Sequence, residues 1–216
     1  MQKNKIDKKK IIIFVMILII IIIACFFIKN VYKNQKSGHN MSNKNIEEIE
    51  EYILNISSYE AKVEVAIESN KNKNQYKLEQ IYQKDKLSKQ KVLEPSNIEG
   101  LEIKYENNTL SIYNAKVNLT TVYENYNYLV ENFLWLNAFA QDYIEEKGKG
   151  QARAIEEDDT IIMETKTRNE NNQYVYHKKL YIDKKTGKPT KLFVQDVNKK
   201  NLVYILYNEI TVNGLS

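Results

Sequence analysis

The sequence predicts an α+β domain in which a curved antiparallel β-sheet of about ten strands, shaped as a half-barrel, is covered by two helices. Many short runs alternate apolar and polar residues, which is typical of strands with one buried face. Polar turns separate these runs too closely for the helical crossovers of a parallel sheet. In two segments the apolar residues instead recur three or four positions apart, as in amphipathic helices.

Composition limits the class of protein. The chain has 216 residues, which suits one domain of ordinary size. Hydrophobic residues make up 43% of it and charged residues 28%, so a packed core is expected and general disorder is not. The single cysteine excludes an internal disulfide and any metal site built from several cysteines.

The net charge of +4 belongs to a short tail rather than to the domain. Residues 1–10 carry five lysines and one aspartate, which already gives +4. From residue 40 onward, 24 basic and 27 acidic side chains give −3. Because a nucleic-acid-binding domain would need a basic excess in its folded part, no nucleic-acid partner is expected.

The apolar stretch at residues 11–28 is the clearest feature of the sequence. As a helix it would span about 27 Å, close to the hydrocarbon thickness of a bilayer. Because five lysines precede it, the N-terminus is expected in the cytoplasm and the remainder outside the cell membrane. Residues 1–28 are therefore assigned to a cytoplasmic basic tail and a transmembrane or signal segment.

The residues leave the type of anchor open. Ile22-Ile23-Ala24-Cys25 is similar to a bacterial lipobox, in which a signal peptide is removed and the cysteine is acylated. Residues 26–28 continue the apolar run, however, which favours an uncleaved anchor in which Cys25 is an ordinary apolar residue. Either anchor tethers the same extracytoplasmic domain to the membrane.

Residues 29–45 are polar and basic without periodicity and are expected to form a linker, which contains His39. The folded domain then comprises residues 46–216. It opens with an amphipathic helix that Asn45 and Glu48 cap. The apolar face of this helix is formed by Ile46, Ile49, Ile53 and Ile56.

Ten alternating runs in two groups of five are interpreted as strands. The first group is formed by residues 59–68, 76–82, 86–93, 101–105 and 110–112. The second group is formed by residues 151–155, 160–166, 173–182, 189–197 and 202–212. Turns are predicted at Asp85, at Asn107-Asn108 and at Gly187, where Gly allows a positive φ.

A second helix is predicted between the two groups of strands. Thr121 and Glu124 have the spacing of a capping box, apolar residues recur at helical spacing as far as Tyr143, and Gly148 and Gly150 end the helix. Its broad apolar face predicts a core helix that fills the curved sheet; the alternative is that part of this face lines a cavity or contacts a partner. The candidate ligand or partner face consists of Tyr126, Val130, Phe133, Leu134, Trp135, Phe139 and Tyr143.

Catalytic and metal-binding motifs are not found in the sequence. It contains no Gly-rich phosphate loop, no GxSxG elbow and no HExxH pair. His177 lies in a run of tyrosines and is interpreted as a sheet residue rather than a base. The acidic run at residues 156–159 lacks the alternating ligands of a calcium loop and is interpreted as a solvated turn. We therefore expect no enzyme, no metal and no cofactor.

Three segments resemble the GerS family of germination lipoproteins from spore-forming clostridia. They are residues 92–110 (VLEPSNIEGLEIKYENNTL), 123–129 (YENYNYL) and 131–136 (ENFLWL), within a likeness that extends over residues 40–216. The resemblance implies a LolA-like fold, a curved antiparallel sheet closed by helices. The broader LolA class carries lipoprotein acyl chains in its concave face. The GerS branch implies instead a non-catalytic partner of the cell-wall amidase CwlD in spore cortex modification.

Two functions of different classes follow. We expect a non-catalytic envelope protein that binds and supports another envelope protein, such as a cell-wall amidase acting in sporulation or germination. The alternative is a carrier or sensor of an apolar ligand, a lipid or acyl chain, in the concave cavity. An enzyme is the least favoured class, because His177 is its one candidate base. A homo-oligomer is compatible with either function.

Overall fold

The structure is a computed structural model that describes residues 44–69, 71–126, 133–168 and 171–214. Its two described helices are α1 (Ile46–Leu54) and α2 (Leu136–Lys147). The first six strands are β1 (Ser58–Glu68), β2 (Lys73–Gln83), β3 (Leu87–Glu94), β4 (Leu101–Glu106), β5 (Thr109–Asn114) and β6 (Leu119–Tyr123). The last five are β7 (Ala152–Glu157), β8 (Thr160–Lys166), β9 (His177–Asp183), β10 (Pro189–Gln195) and β11 (Asn201–Val212).

All eleven strands form one open, curved antiparallel sheet. Their order is β6-β5-β4-β3-β2-β1-β11-β10-β9-β8-β7, so the first and last strands of the domain are neighbours at its centre. The chain runs outward from β1 to one edge at β6. It then crosses to the opposite edge at β7 and returns to the centre. The predicted fold class is therefore confirmed as an antiparallel sheet with two helices.

Local sequence signals explain where the elements begin and turn. The Asn45 side chain accepts the N–H of Glu48 at 2.8 Å, and the Glu48 carboxylate accepts the N–H of Asn45 at 3.3 Å. The predicted cap of α1 is thus present as a full capping box. Asp85, Asn107, Asn108 and Gly187 all have positive φ angles, as tight turns between antiparallel strands require.

The predicted start of the second helix is wrong. Leu119–Tyr123, which includes the Thr121 of the expected capping box, forms strand β6 and pairs with β5. Its run of Leu, Thr, Thr, Val and Tyr is rich in β-branched and aromatic side chains, which favour a strand. Asn118 and Asn125, on either side, have positive φ angles and end the strand. The helix itself begins at Leu136, and the sheet has one strand more than predicted.

The core lies on the face of the sheet that carries the helices, which we call the inner face. Helix α2 packs on β7 and β8, and α1 packs on α2 and β7. Beneath them one row of paired residues crosses the central strands with almost no exposure. This row contains Met163, Leu180, Leu192, Ile205 and Val65. Both helices therefore lie toward the end of the sheet that β7 and β8 form.

A buried group of charges fastens α2 to the sheet. The Asp142 carboxylate on α2 contacts the Lys178 ammonium of β9 at 2.7 Å through one oxygen and the Arg168 Nε at 2.7 Å through the other. The Lys178 and Asp142 side chains are only 4% and 6% exposed. Burial lowers the pKa of Lys178, and the charge of Asp142 opposes that shift. The carboxylate is therefore needed to keep Lys178 charged in the core.

Replacing Asp142 by Ala leaves Lys178 buried without a counter-charge. We expect Asp142→Ala to lower the free energy of unfolding by about 3–5 kcal/mol, measured by urea denaturation of the full chain. The control is Asp159→Ala, which removes an exposed ion pair with Lys185 and should leave the urea midpoint unchanged. Equal losses in the two variants would contradict the role given to Asp142.

Candidate protein-binding surface

Three of the predicted face residues belong to the hydrophobic core. Trp135, Phe139 and Tyr143 are 4%, 0% and 0% exposed. The Trp135 ring lies 6.3 Å from that of Tyr59, and the rings of Phe139 and Tyr143 are 5.9 Å apart. Burial, followed by the charge of Glu50, raises the pKa of Tyr143. These side chains of α2 and of the residue before it lie in the core on the inner face of the sheet.

Polar side chains of the inner face hold the segment that leads into α2. The Tyr59 hydroxyl accepts the N–H of Leu136 at 3.3 Å. Gln80, which is fully buried, donates to the carbonyl of Leu134 at 3.2 Å and to the side chain of Gln90 at 3.1 Å. A buried amide must find partners of this kind. Residues 134–136, which lead into α2, are therefore held over β1 and β2.

The remaining predicted residues are distributed differently. Phe133 and Leu134 are half-buried against the core. Tyr126 is half-buried, its ring lies 6.1 Å from that of Tyr123, and its N–H donates to the carbonyl of Asn108 at 2.8 Å. Val130 and the lipidation candidate Cys25 lie outside the described residues. Of the described members of this set, the structure thus brings Tyr126 to the edge of the sheet at β6.

Strands β4, β5 and β6 form the end of the sheet that lies away from the helices, which we call the wing. Cross-strand pairing shows which side chains of the wing lie on the inner face. One row of paired residues runs from Tyr82 on β2 and Ser88 on β3 to Tyr105, Leu110 and Tyr123 on the wing. On β6, Leu119 is 59% and Tyr123 is 47% exposed on this face. Val122, on the opposite face, is 52% exposed. Both faces of β6 therefore present apolar side chains to solvent.

The two edge strands of the sheet differ in their charge and in whether helices pack against them. Strand β7 carries Arg153, Glu156 and Glu157, and both helices pack against it. Strand β6 carries no charged side chain, and all five of its residues are exposed. An edge strand offers unpaired backbone N–H and C=O groups, and charged side chains or covering elements normally protect such an edge. Among the described strands, β6 is the edge without that protection.

The sequence pattern does not reveal this surface, because the second helix is predicted to start at Thr121, within β6. The available signal was the uncharged run Leu119–Tyr123 between two asparagines, which matches a short strand better than a helix start. The alternation of apolar and polar residues alone could not show that β6 would be an edge strand of the sheet. That property depends on the strand order of the whole sheet.

The other sequence candidates are placed as follows. His177 begins β9, half-buried, with its ring 4.9 Å from that of Tyr176. The acidic run covers the end of β7 and the β7–β8 turn, where Lys184 contacts Glu156 and Lys185 contacts Asp159 at 2.7 Å. Within the described ranges, no group of three or more His, Cys, Asp and Glu side chains is arranged to hold a metal ion. No described helix has the length and hydropathy of a membrane span.

These features define an open-sheet protein with an uncovered apolar wing, and the comparison with protein families gives its relatives. The chain belongs to the YdcC-like family of sporulation proteins, which it matches over residues 8–214. A comparison with curated proteins gives no match.

Solved structures with a similar course of the backbone come from several bacteria. An uncharacterised conserved protein of Thermus thermophilus is 13% identical, with 79% of this chain and 88% of that chain covered and a TM-score of 0.48. A chain in the complex of the CwlD amidase with the GerS lipoprotein from Clostridioides difficile is 22% identical (76% and 91% covered, TM-score 0.46). A LolA superfamily protein of Nitrosomonas europaea is 13% identical (79% and 93% covered, TM-score 0.39).

Two substitutions distinguish core from surface among these apolar residues. Phe139→Ala should lower the free energy of unfolding by about 3–5 kcal/mol, because it removes a buried ring and leaves a cavity. Leu119→Ala should change it by less than about 0.5 kcal/mol, because the side chain is largely solvated. Urea unfolding of the full-length variants measures both changes. A large loss for Leu119→Ala would mean that the wing is covered.

Proposed function

We propose that this chain is a non-catalytic envelope protein that binds another envelope protein during sporulation, and that the wing is the contact surface. Membership of the YdcC-like family supports the link to sporulation. The observation that carries the binding proposal is the uncharged edge strand β6, in which all five residues are exposed. A contact there would bury Leu119 and Tyr123 and pair the free backbone groups of the edge at the same time.

Strand addition is the binding mode that suits this surface. An extended segment of a partner that pairs with β6 would gain main-chain hydrogen bonds, while its alternate side chains would pack on the inner face of the wing. Leu119, Thr121 and Tyr123 point to that face, and Ile103 and Ile112 continue it inward. The polar residues Gln80 and Gln90 mark where the uncovered surface ends.

A cell-wall amidase that acts on the spore cortex is the proposed partner. This choice follows from the sequence resemblance of residues 92–110, 123–129 and 131–136 to the GerS family. The second of these segments begins at Tyr123, the last residue of β6. The alternative ligand, a lipid between sheet and helix, has less support because Trp135 and Phe139 fill that space in the core.

A charge on the wing should prevent this contact. The double substitution Leu119→Lys and Val122→Lys places an ammonium group on each face of β6, and we expect binding at least about 30-fold weaker, which corresponds to about 2 kcal/mol. Titration calorimetry with the purified sporulation amidase of the same cell measures the dissociation constant.

The matched control for that experiment is Ile144→Lys, which alters an equally exposed apolar residue, 55% accessible, on α2. Its affinity should equal that of the unaltered chain. Wild-type affinity in the double variant, or an equal loss in the control, would reject the wing as the contact surface. Circular dichroism of each variant verifies that the sheet is retained.

We further propose that residues 11–28 anchor the chain in the cell membrane with the domain on the extracytoplasmic side. The support is the uncharged apolar sequence and the five lysines before it. Such an anchor would hold the wing at the membrane surface at which envelope partners are found, through the linker of residues 29–45.

Intact-mass measurement of the membrane-extracted protein distinguishes the two anchors. Loss of residues 1–24 together with added acyl mass is expected for a lipoprotein, and Cys25→Ala should then abolish both changes. The unprocessed mass of 25.5 kDa is expected for an uncleaved helix. Recovery of the unmodified chain in the cytosolic fraction would reject membrane anchoring of either type.

A further inference from the structure

A groove of about 730 Å³ lies at the end of β7 to β10 and has an unusual concentration of positive charge. The ionisable side chains that line it on the outer face, opposite the helices, are Arg153, Glu164, Lys166, His177, Lys179 and Lys199. It is at the opposite side of the sheet from the wing. We propose that this groove binds phosphate groups of a soluble polyanion.

The one acidic side chain in this set is already fully engaged. Arg153 donates to one oxygen of Glu164 from Nε at 2.9 Å and from Nη2 at 2.8 Å, and Lys179 contacts the other oxygen at 2.5 Å. Although burial opposes the shift, these two hydrogen-bonded cations lower the pKa of Glu164. The carboxylate is therefore ionised near neutral pH, and the three residues together retain one positive charge.

Two further lysines add charge that is not compensated. Within the part of the chain that the structure describes, Lys166 and Lys199 form no ion pair with a carboxylate. The Lys166 ammonium lies 5.5 Å from the centre of the Tyr176 ring, which leaves its hydrogen-bond donors available. Lys199 sits at φ +63° in the β10–β11 turn, and its carbonyl accepts from Gln195 at 3.2 Å. Four cations thus line the groove together with the Glu164 carboxylate.

The neighbouring turn adds a second carboxylate, that of Asp196, whose charge acts on the pKa of His177 against the charges of Lys199 and Lys166. Asp196 directs one carboxylate oxygen to the N–H groups of Asn198 and Lys200, at 2.8 Å each, so that it closes the turn. The groove retains an excess of two cations. The groove is therefore positively charged, although the chain from residue 40 onward has a net charge of −3.

His177 reports the electrostatic potential in the groove. Burial, followed by the charges of Lys199 and Lys166, lowers its pKa below the ordinary value of 6.5. A bound anion would favour the imidazolium form and raise that pKa. This shift measures binding at the groove itself, because the chain has only one other histidine, His39.

Phosphate fits these donors better than a single carboxylate does. Guanidinium and ammonium groups bind phosphate oxygens through charge-assisted hydrogen bonds, and the four cations come from β7, β8, β9 and the β10–β11 turn. Cations spread over that many elements can contact several oxygens at once. A chain of linked phosphates would therefore bind more tightly than a single inorganic phosphate.

The test uses the full chain with His39→Gln, so that His177 is the one imidazole. Sodium tripolyphosphate is titrated while NMR follows the His177 resonances across pH. We expect saturable binding, a raised His177 pKa and an affinity above that for inorganic phosphate. In the double variant Lys166→Gln and Lys199→Gln, affinity should fall at least 10-fold, which is about 1.4 kcal/mol.

The matched control is Lys84→Gln with Lys86→Gln, an equal change of charge on the exposed β2–β3 turn. It should keep the affinity of the unaltered chain. Equal losses in both double variants would show a general charge effect and overturn the proposal. So would an unshifted His177 pKa, or binding to phosphatidylglycerol vesicles without binding to tripolyphosphate. None of these results depends on amidase binding at the wing.

Discussion

The antiparallel pairing of β1 with β11 is the constraint on which the rest of the structure depends. It extends from Tyr59 opposite Val212 to Ile67 opposite Val203 and places the first and last strands at the centre of the sheet. The side chain of Asn213 closes it by accepting the N–H of Ser57 at 2.9 Å. Because both ends of the domain are central, each edge is formed by a strand from the middle of the chain. The connection between β6 and β7 must consequently cross the whole sheet.

The size of the sheet explains why the two described helices cannot cover it. Eleven strands spaced about 4.8 Å apart extend over about 48 Å. Helices α1 and α2 have 9 and 12 residues, which corresponds to about 14 and 18 Å of length and about 10 Å of diameter each. Side by side they cover less than half of the width. Since Asp142 fastens α2 near β8 and β9, the strands left uncovered include β4 to β6 at the far end.

Much of the fold could be predicted because the alternation of apolar and polar residues along a strand is a local property of the sequence. The capping box at Asn45, the strand from Tyr59 onward and the turn at Gly187 depend on neighbouring residues alone. The wing could not be predicted, because its exposure depends on the pairing of β1 with β11, which no local pattern encodes. Thr121 and Glu124 have the right spacing for a capping box, but hydrogen bonding to β5 and the positive φ of Asn118 outweighed this weak helical preference. Similarly, the lysines of the outer-face groove look like ordinary solvated residues until the register brings them together.

The contrast between the two edges of the sheet supports the proposal that the edge at β6 is a contact surface for a partner. An unprotected edge strand is a hazard for aggregation, and a single inward or outward charge is enough to reduce it. The chain has that protection at β7, where Arg153 and Glu156 form ion pairs and the helices pack. It is absent at β6, although lysine and glutamate are abundant elsewhere on the sheet. An edge that lacks charge on both faces, in a chain that protects its other edge, supports the proposal that another polypeptide covers this surface.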